Sequence, residues 1–187
     1  MTTAIVPVGH YLGLVYDDSV GQARHRVRVG RGSEPLDSAE EAAVWFAAHS
    51  FTNLAQPVVW TRDRILDVLP EPRNVAASAF PVLLRDGLLA EVDDAFADRH
   101  RVVPLTFGIG WRYGDEGLAL GVGERAVSVD ETVLAVWERG TEFPTLREAC
   151  VDAAPEAPDA ALAAVTTALH RLLAVSAVYV DIAATSR

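Results

Sequence analysis

The segment Ser-Val-Asp-Glu-Thr-Val-Leu-Ala-Val-Trp at 128–137 decides the fold prediction. Asp130 is a favoured N-cap residue, because its carboxylate accepts a hydrogen bond from an otherwise unpaired backbone N–H at the start of a helix. Apolar residues follow at helical spacing, namely Val133, Leu134, Val136 and Trp137. Gly140 is a favoured residue just past a helix end. The segment therefore predicts a short amphipathic helix that begins after Asp130 and ends at Gly140.

Further elements are predicted on both sides of this helix. Apolar stretches at 105–112, 118–122 and 126–129 precede it and predict strands separated by glycine-rich turns. Thr145 begins a second helix. A long third helix follows Pro158, with apolar residues at helical spacing at Leu162, Val165, Leu169 and Leu172. The segment 178–182 then predicts a closing strand.

The first half of the chain shows the same order. Strands are predicted at 11–16 and 25–29, and Ser38 with Glu41 fits a capping box at the start of a helix. A second helix begins at Thr61, and a third begins near Pro72, contains Pro81 as a predicted kink or break, and ends at Gly87. The polar segment 93–100 predicts a linker or surface segment between the halves.

Landmarks in the two halves correspond. Val44-Trp45 matches Val136-Trp137, Ser38 matches Asp130, Thr61 matches Thr145, and Leu83-Leu84 matches Leu172-Leu173. The sequence therefore predicts an α+β protein of two tandem winged-helix-like units, 1–95 and 96–187. Each unit is expected to contain a β-hairpin, three helices and a closing strand.

Residues 127–181 resemble the peptide chaperone of pyrroloquinoline quinone biosynthesis and related precursor-peptide recognition domains of ribosomal peptide natural-product pathways. The resemblance rests on the apolar pattern of 128–137, on Thr145-Leu-Arg-Glu-Ala149, and on 165–173 before Val178-Tyr-Val-Asp181. The Asp-Gly that usually follows the first helix is replaced by Arg139-Gly140. The resemblance implies that a leader peptide, often acidic, adds as a strand to the edge of the N-terminal sheet and lies against the third helix.

Composition excludes several classes of protein. With 50% hydrophobic residues and a mean hydropathy of +0.18, the 187-residue chain is too apolar for a disordered tail. Its single cysteine excludes a disulfide scaffold. No apolar run approaches the ~20 residues of a membrane span. The N-terminus lacks a basic region and a cleavage site, so the expected location is the cytoplasm.

Charge argues against a nucleic-acid-binding surface. The net charge is −10, and each half carries 13 acidic residues and 8 arginines, with no lysine. The predicted third helix of the second half has no arginine before Arg171, whereas that of the first half offers Arg73, Asn74 and Arg85. Weak contact with phosphates is therefore expected.

The sequence predicts no catalytic site, no metal site and no cofactor. Its five histidines are scattered without zinc-ligand spacing, and Cys150 lies on an apolar helix face. Acidic pairs occur in predicted turns. Gly108-Ile-Gly110 and Gly121-Val-Gly123 lie in strands and complete no phosphate-binding motif.

A peptide site is predicted on the strand at 25–29. Its backbone would pair with a guest strand while the arginines attract acidic side chains. The predicted strand-addition residues are Arg24, Arg26, Val27, Arg28 and Val29, and the floor of the adjacent groove is predicted to be Val75, Ala79 and Leu83. The alternative interpretation is that the arginines protect an exposed strand against aggregation.

These observations predict a non-catalytic protein that binds a peptide or a partner protein. The hypothesised role is recognition of a leader peptide for a modifying enzyme in ribosomal peptide natural-product biosynthesis. The alternative is a winged-helix DNA-binding transcriptional regulator that acts as a dimer. A third alternative is a purely structural subunit of a homo-oligomer.

Overall fold

A computed structural model describes residues 3–18, 21–50, 59–70, 73–106, 108–111, 118–122 and 125–184. The fold is α+β, as predicted, with antiparallel sheets of two and three strands. The elements of the first half are β1 (Ile5–Pro7), β2 (His10–Asp17), β3 (Gln22–Val29), β4 (Gly32–Leu36), α1 (Ala39–Ala47), α2 (Arg62–Asp67), α3 (Arg73–Arg85) and β5 (Leu89–Glu91). Those of the second half are α4 (Phe96–Arg99), β6 (His100–Pro104), β7 (Gly108–Trp111), β8 (Leu118–Val122), β9 (Arg125–Val129), α5 (Glu131–Arg139), α6 (Leu146–Ala153), α7 (Pro158–Ala174) and β10 (Val178–Ile182).

The same order of elements occurs in both halves of the described chain, which we call the first unit (3–92) and the second unit (96–184). A single strand is followed by a three-stranded meander, three helices and a last strand that returns to pair with the first. β5 pairs with β1 and β10 pairs with β6, both antiparallel. The repeated order supports the predicted duplication. The winged-helix identity of each unit stays a prediction.

Three sequence expectations about the elements are wrong. The predicted hairpin of the first unit is a three-stranded meander, because β4 adds to β3. The predicted linker at 93–100 contains α4, whose Phe96 and Ala97 are buried in the core of the second unit. α3 also continues through Pro81, so the predicted break is absent, whereas the predicted kink stays a prediction.

The predicted N-caps are confirmed in both units. Asp130 Oδ1 accepts a hydrogen bond from the Val133 N–H at 2.8 Å, and Ser38 Oγ accepts one from the Glu41 N–H at 3.1 Å. Thr61 and Thr145 cap the second helix of their units in the same way. Each cap provides a partner for a backbone donor that the first helical turn leaves unpaired.

α3 and α7 end in the same motif. The Leu88 N–H donates to Leu83 O and the Ala177 N–H donates to Leu172 O, both at 2.8 Å. The residue before each donor is left-handed, with φ of 70° at Gly87 and 55° at Ser176. These are Schellman ends, and the left-handed position predicted at Gly87 is confirmed.

This correspondence generates a paired prediction. Gly87→Ala should lower the free energy of unfolding by about 1 kcal/mol, because a Cβ is strained at positive φ, although the site itself is open. Ser176→Gly should raise it by a few tenths to about 1 kcal/mol by removing the same strain. Urea denaturation of both variants measures the two shifts. Shifts of the same sign would contradict the structural equivalence of the two positions.

The two units are packed together through β1 and β10. Val6 and Val8 are fully buried in the apolar core of the second unit, although they precede the first meander. Val8 forms a parallel bridge with Val180, and the Gly9 N–H donates to Val180 O at 2.7 Å. On the other side of β1, Nε2 of His170 donates to Ile5 O at 2.8 Å. The core of the second unit is therefore completed by residues of the first unit, whereas the core of the first unit is formed by its own residues.

Candidate functional site

The arginine-rich strand predicted to accept a guest peptide is a central strand. β3 pairs with β2 through Arg28, Arg26 and Arg24, and the same strand pairs with β4 on its other side. Both rows of its backbone donors and acceptors therefore face neighbouring strands. The prediction of strand addition at 25–29 is wrong, because β4 covers the edge that strand addition requires.

The arginines of β3 also have partners within the protein. Arg24 contacts Asp37 at 2.8 Å and Arg26 contacts Asp17 at 3.0 Å. Arg28 donates to the Tyr179 hydroxyl at 3.0 Å and stacks over its ring. The three guanidinium groups therefore stabilise the sheet and its contact with the second unit. They do not form an open basic strip for an acidic ligand.

The apolar residues predicted for the same site lie in the core. Val27 is fully buried, and Val29 packs against both cores. Ala79 and Leu83 face the core of the first unit, so they cannot form the floor of a surface groove. Val75 alone is exposed, and it lines a cavity of about 220 Å³ between α1 and the start of α3.

A larger groove lies in the second unit, between β9 and α7. Its volume is about 370 Å³. Its walls include Ser128 and Val129 from β9, and Ala164, Thr167, Ala168 and Arg171 from α7. We call this the β9–α7 groove. Small side chains on α7 keep it open, since Leu169 and Leu172 of the same helix turn inward to the core.

The outer edge of β9 is open along this groove. Within the described chain, β9 pairs only with β8, from Arg125 opposite Val122 to Val129 opposite Leu118. Val127 and Val129 are buried and anchor the strand to the core. An edge strand anchored in this way presents a fixed row of backbone N–H and C=O groups.

Arg171 provides the positive charge of the groove. No ion pair or side-chain hydrogen bond joins its guanidinium group to another residue in the described part of the chain. Asp130 also lines the groove, but its carboxylate already caps α5. Arg171 is therefore the side chain of the groove that is available to an anionic ligand.

The corresponding place in the first unit has different chemistry. β4 contains Pro35, which has no backbone N–H to give to a guest strand. Alignment of the Schellman ends places Ser78 and Val82 of α3 where α7 has Thr167 and Arg171. The first unit therefore lacks the positive charge and part of the hydrogen-bonding edge. The duplicated fold offers one such groove among the described residues.

The sequence indicates this groove through small residues on α7, which by themselves are equally typical of a packed helix face. Ala163, Ala164, Thr167 and Ala168 form a stripe of small residues on α7, and by composition alone they indicate an alanine-rich packing helix. Their partial or full exposure shows that the packing face of α7 is the leucine face. An alanine stripe next to a predicted edge strand could have indicated the groove.

Reactive side chains outside the groove are held in inert states. Cys150 is buried, and burial raises the pKa of its thiol to about 11, so it carries little thiolate at neutral pH.

Among the described residues, no group of three or more histidine, cysteine or carboxylate side chains could hold a metal ion. None of the described helices is long and apolar enough to cross a membrane.

Four histidines have a lowered pKa, with burial as the largest cause: His10, His49, His100 and His170. The shift is largest for His49, whose pKa falls from 6.5 to about 4. Its Nδ1 lies 3.1 Å from Trp45 O, and its ring contacts the Trp45 ring. The folded protein therefore holds His49 neutral at pH values where an unfolded chain protonates it.

Acid should therefore destabilise the fold in a defined pH range. The contribution of His49 is fully present above pH 6.5 and is lost as the pH falls towards about 4, because the unfolded chain then binds a proton that the folded chain does not. His49→Asn keeps a donor towards Trp45 O but does not titrate. Urea denaturation across this pH range should give a shallower loss of stability for the variant. Parallel pH profiles for the two proteins would contradict this account.

No protein-family model, no curated protein and no solved structure matches this chain.

Proposed function

We propose that this protein is a non-catalytic peptide-binding protein that takes an extended segment as an additional strand on β9. The observation that carries the proposal is the open edge of β9 beside the β9–α7 groove. The occupant is a leader segment of a precursor peptide, held for a separate modifying enzyme. The resemblance of residues 127–181 to precursor-peptide recognition domains supports this role, since that segment contains β9, α7 and the groove.

The geometry suits strand addition for a physical reason. Backbone hydrogen bonds to β9 provide affinity that does not depend on sequence, and alternate side chains of the guest point towards the groove. Ala164 and Ala168 leave room for those side chains beside the helix. Val127 and Val129 are buried, so β9 is already ordered before a guest binds and binding has no entropy cost for ordering this strand.

Charge supports an acidic guest with one anchored carboxylate. The whole chain carries a net charge of −10, which repels an acidic peptide at long range. Arg171 offers a local ion pair inside the groove. Selectivity then depends on whether a guest carboxylate reaches Arg171, because Arg171 is the cationic side chain of the groove and the other charged side chain in its lining, Asp130, already caps α5.

DNA binding is the less favoured alternative. The arginines that the first unit offers on α3 are neutralised, since Arg73 contacts Asp67 at 2.6 Å and Arg85 contacts Asp86 at 2.7 Å. α7 carries Arg171 and no other arginine. A helix that tracks phosphates needs several unpaired cations.

Selection from a phage-displayed library of random peptides tests the proposal directly. We expect the wild-type protein to enrich extended peptides that alternate apolar and acidic residues. Arg171→Glu should weaken a selected, fluorescently labelled peptide by about fivefold to tenfold, as for an ion pair worth ~1 kcal/mol. Thr167→Trp fills the groove with a bulky ring and should reduce affinity by more than about tenfold. Fluorescence anisotropy measures both losses.

Arg64→Glu is the matched control, because Arg64 is an exposed arginine on α2 whose side chain has no ion-pair partner in the described residues. Its affinity should equal that of the wild type. Equal losses in the Arg64 and Arg171 variants would show a nonspecific charge effect and reject the groove. A gel shift with duplex DNA that weakens steeply with salt, together with no enriched peptide, would favour the alternative function.

A further inference from the structure

A second open strand edge lies on the first unit, away from the β9–α7 groove. β2 is the edge strand of the first meander, and in the described chain it pairs only with β3. Beyond the pairing with β3, no backbone hydrogen bond of the described residues involves 11–16. This edge is therefore free to pair.

The same strand exposes unusually much apolar surface. Leu14 and Tyr16 are 61% and 63% exposed, and Leu12 and Val15 are 46% and 43% exposed. By register, Leu14 and Tyr16 lie on the sheet face of His25 and Ala23, next to the exposed ring of Phe46. Contiguous exposed apolar side chains of this kind mark an interaction surface.

Charge identifies the kind of partner. Residues 11–16, Tyr-Leu-Gly-Leu-Val-Tyr, contain no charged side chain in a chain whose net charge is −10. The arginines of β3 next to this edge, Arg24 and Arg26, are neutralised by Asp37 and Asp17. Neither an acidic nor a basic partner gains an ion pair here. A neutral surface fits a second copy of this chain, because contact here brings no like charges of two acidic chains together.

The sequence of β2 is also self-complementary. Its residues 12–16 are Leu-Gly-Leu-Val-Tyr, which are uncharged and centred on Leu14. A two-fold interface brings the same patch of both subunits together, so residue i contacts j while j contacts i. Antiparallel pairing about a two-fold axis at Leu14 places Leu14 opposite its own copy, Gly13 opposite Val15 and Leu12 opposite Tyr16, so only uncharged residues face each other over 12–16.

We infer that this protein forms a two-fold homodimer by antiparallel pairing of β2 with β2 of a second copy. The two meanders then become one six-stranded sheet with strand order β4-β3-β2-β2-β3-β4. Leu14 and Tyr16 of both copies lie next to each other on one face at its centre and cover part of each other's apolar surface. The pairing leaves β9 and α7 untouched, so the dimer carries two β9–α7 grooves. The short strand contact buries less than a standard interface, and association is therefore concentration-dependent.

Analytical ultracentrifugation of the full chain tests this inference. Wild-type protein should pass from monomer to dimer as its concentration rises over on the order of 1 μM to 1 mM. Leu14→Lys and Leu14→Asp should each be monomeric over the same range, because like charges meet near the axis. An equimolar mixture of the two variants should recover the dimer, since the introduced lysine of one copy would face the introduced aspartate of the other.

The mixture separates loss of the interface from loss of folding, because an unfolded variant cannot recover a dimer by mixing. Val151→Lys on α6 is the matched control, since Val151 is 47% exposed and distant in sequence from β2. It should dimerise like the wild type. A wild-type chain that stays monomeric throughout the range overturns the inference. So does a dimer that survives both Leu14 variants unchanged.

Discussion

One buried carboxylate links the first meander to the sheet of the second unit. Asp181 is 1% exposed, and its oxygens accept hydrogen bonds from the Gly30 N–H at 2.6 Å and from Arg101 at 2.9 Å. Gly30 lies in the turn between β3 and β4, whereas Arg101 lies on β6, so the carboxylate joins the first meander to the sheet of the second unit. Removing Arg101 would leave the buried carboxylate of Asp181 without its ion-pair partner, which is strongly destabilising. The hydrogen bond from Arg28 of β3 to the Tyr179 hydroxyl is a further contact between the two units.

Partners within the fold explain why the arginine-rich strand β3 does not form an open anion-binding site. An arginine on every second residue of a strand suggests an anion-binding face when the strand is considered alone. In the fold, each of these arginines has a partner from a different part of the chain: Asp37 before α1, Asp17 at the end of β2, and Tyr179 on β10. The less conspicuous arginine, Arg171, has no such partner among the described residues. The candidate site therefore lies at an arginine that has no ion-pair partner among the described residues and that lines a groove.

Local chemistry could be predicted from the sequence, and strand order could not. Ser38, Asp130, Thr145 and Gly87 act through hydrogen bonds or backbone angles within a few residues, so their roles follow from the sequence alone. β4 escapes prediction because Gly32-Ser-Glu-Pro-Leu36 has no alternation and contains a proline. Without β4, the central strand β3 is predicted to be an edge, and the predicted site falls on a strand that has no open edge. The role of the alanines on α7 cannot be predicted from the sequence, because close helix packing and an open groove both favour small side chains.

The placement of β1 has a consequence for how the polypeptide acquires its structure during synthesis. Val6 and Val8 leave the ribosome early, yet the core that buries them is completed by Val180 and by Leu169 and Leu172, which are synthesised far later. β1 can pair with β5 once the first unit has been made, but Val6 and Val8 stay without their core until nearly all the described chain has been translated. Long-range closure of this kind slows folding. The two repeats therefore differ in how they depend on each other: the core of the first unit can form from its own residues, but the core of the second unit also needs Val6 and Val8.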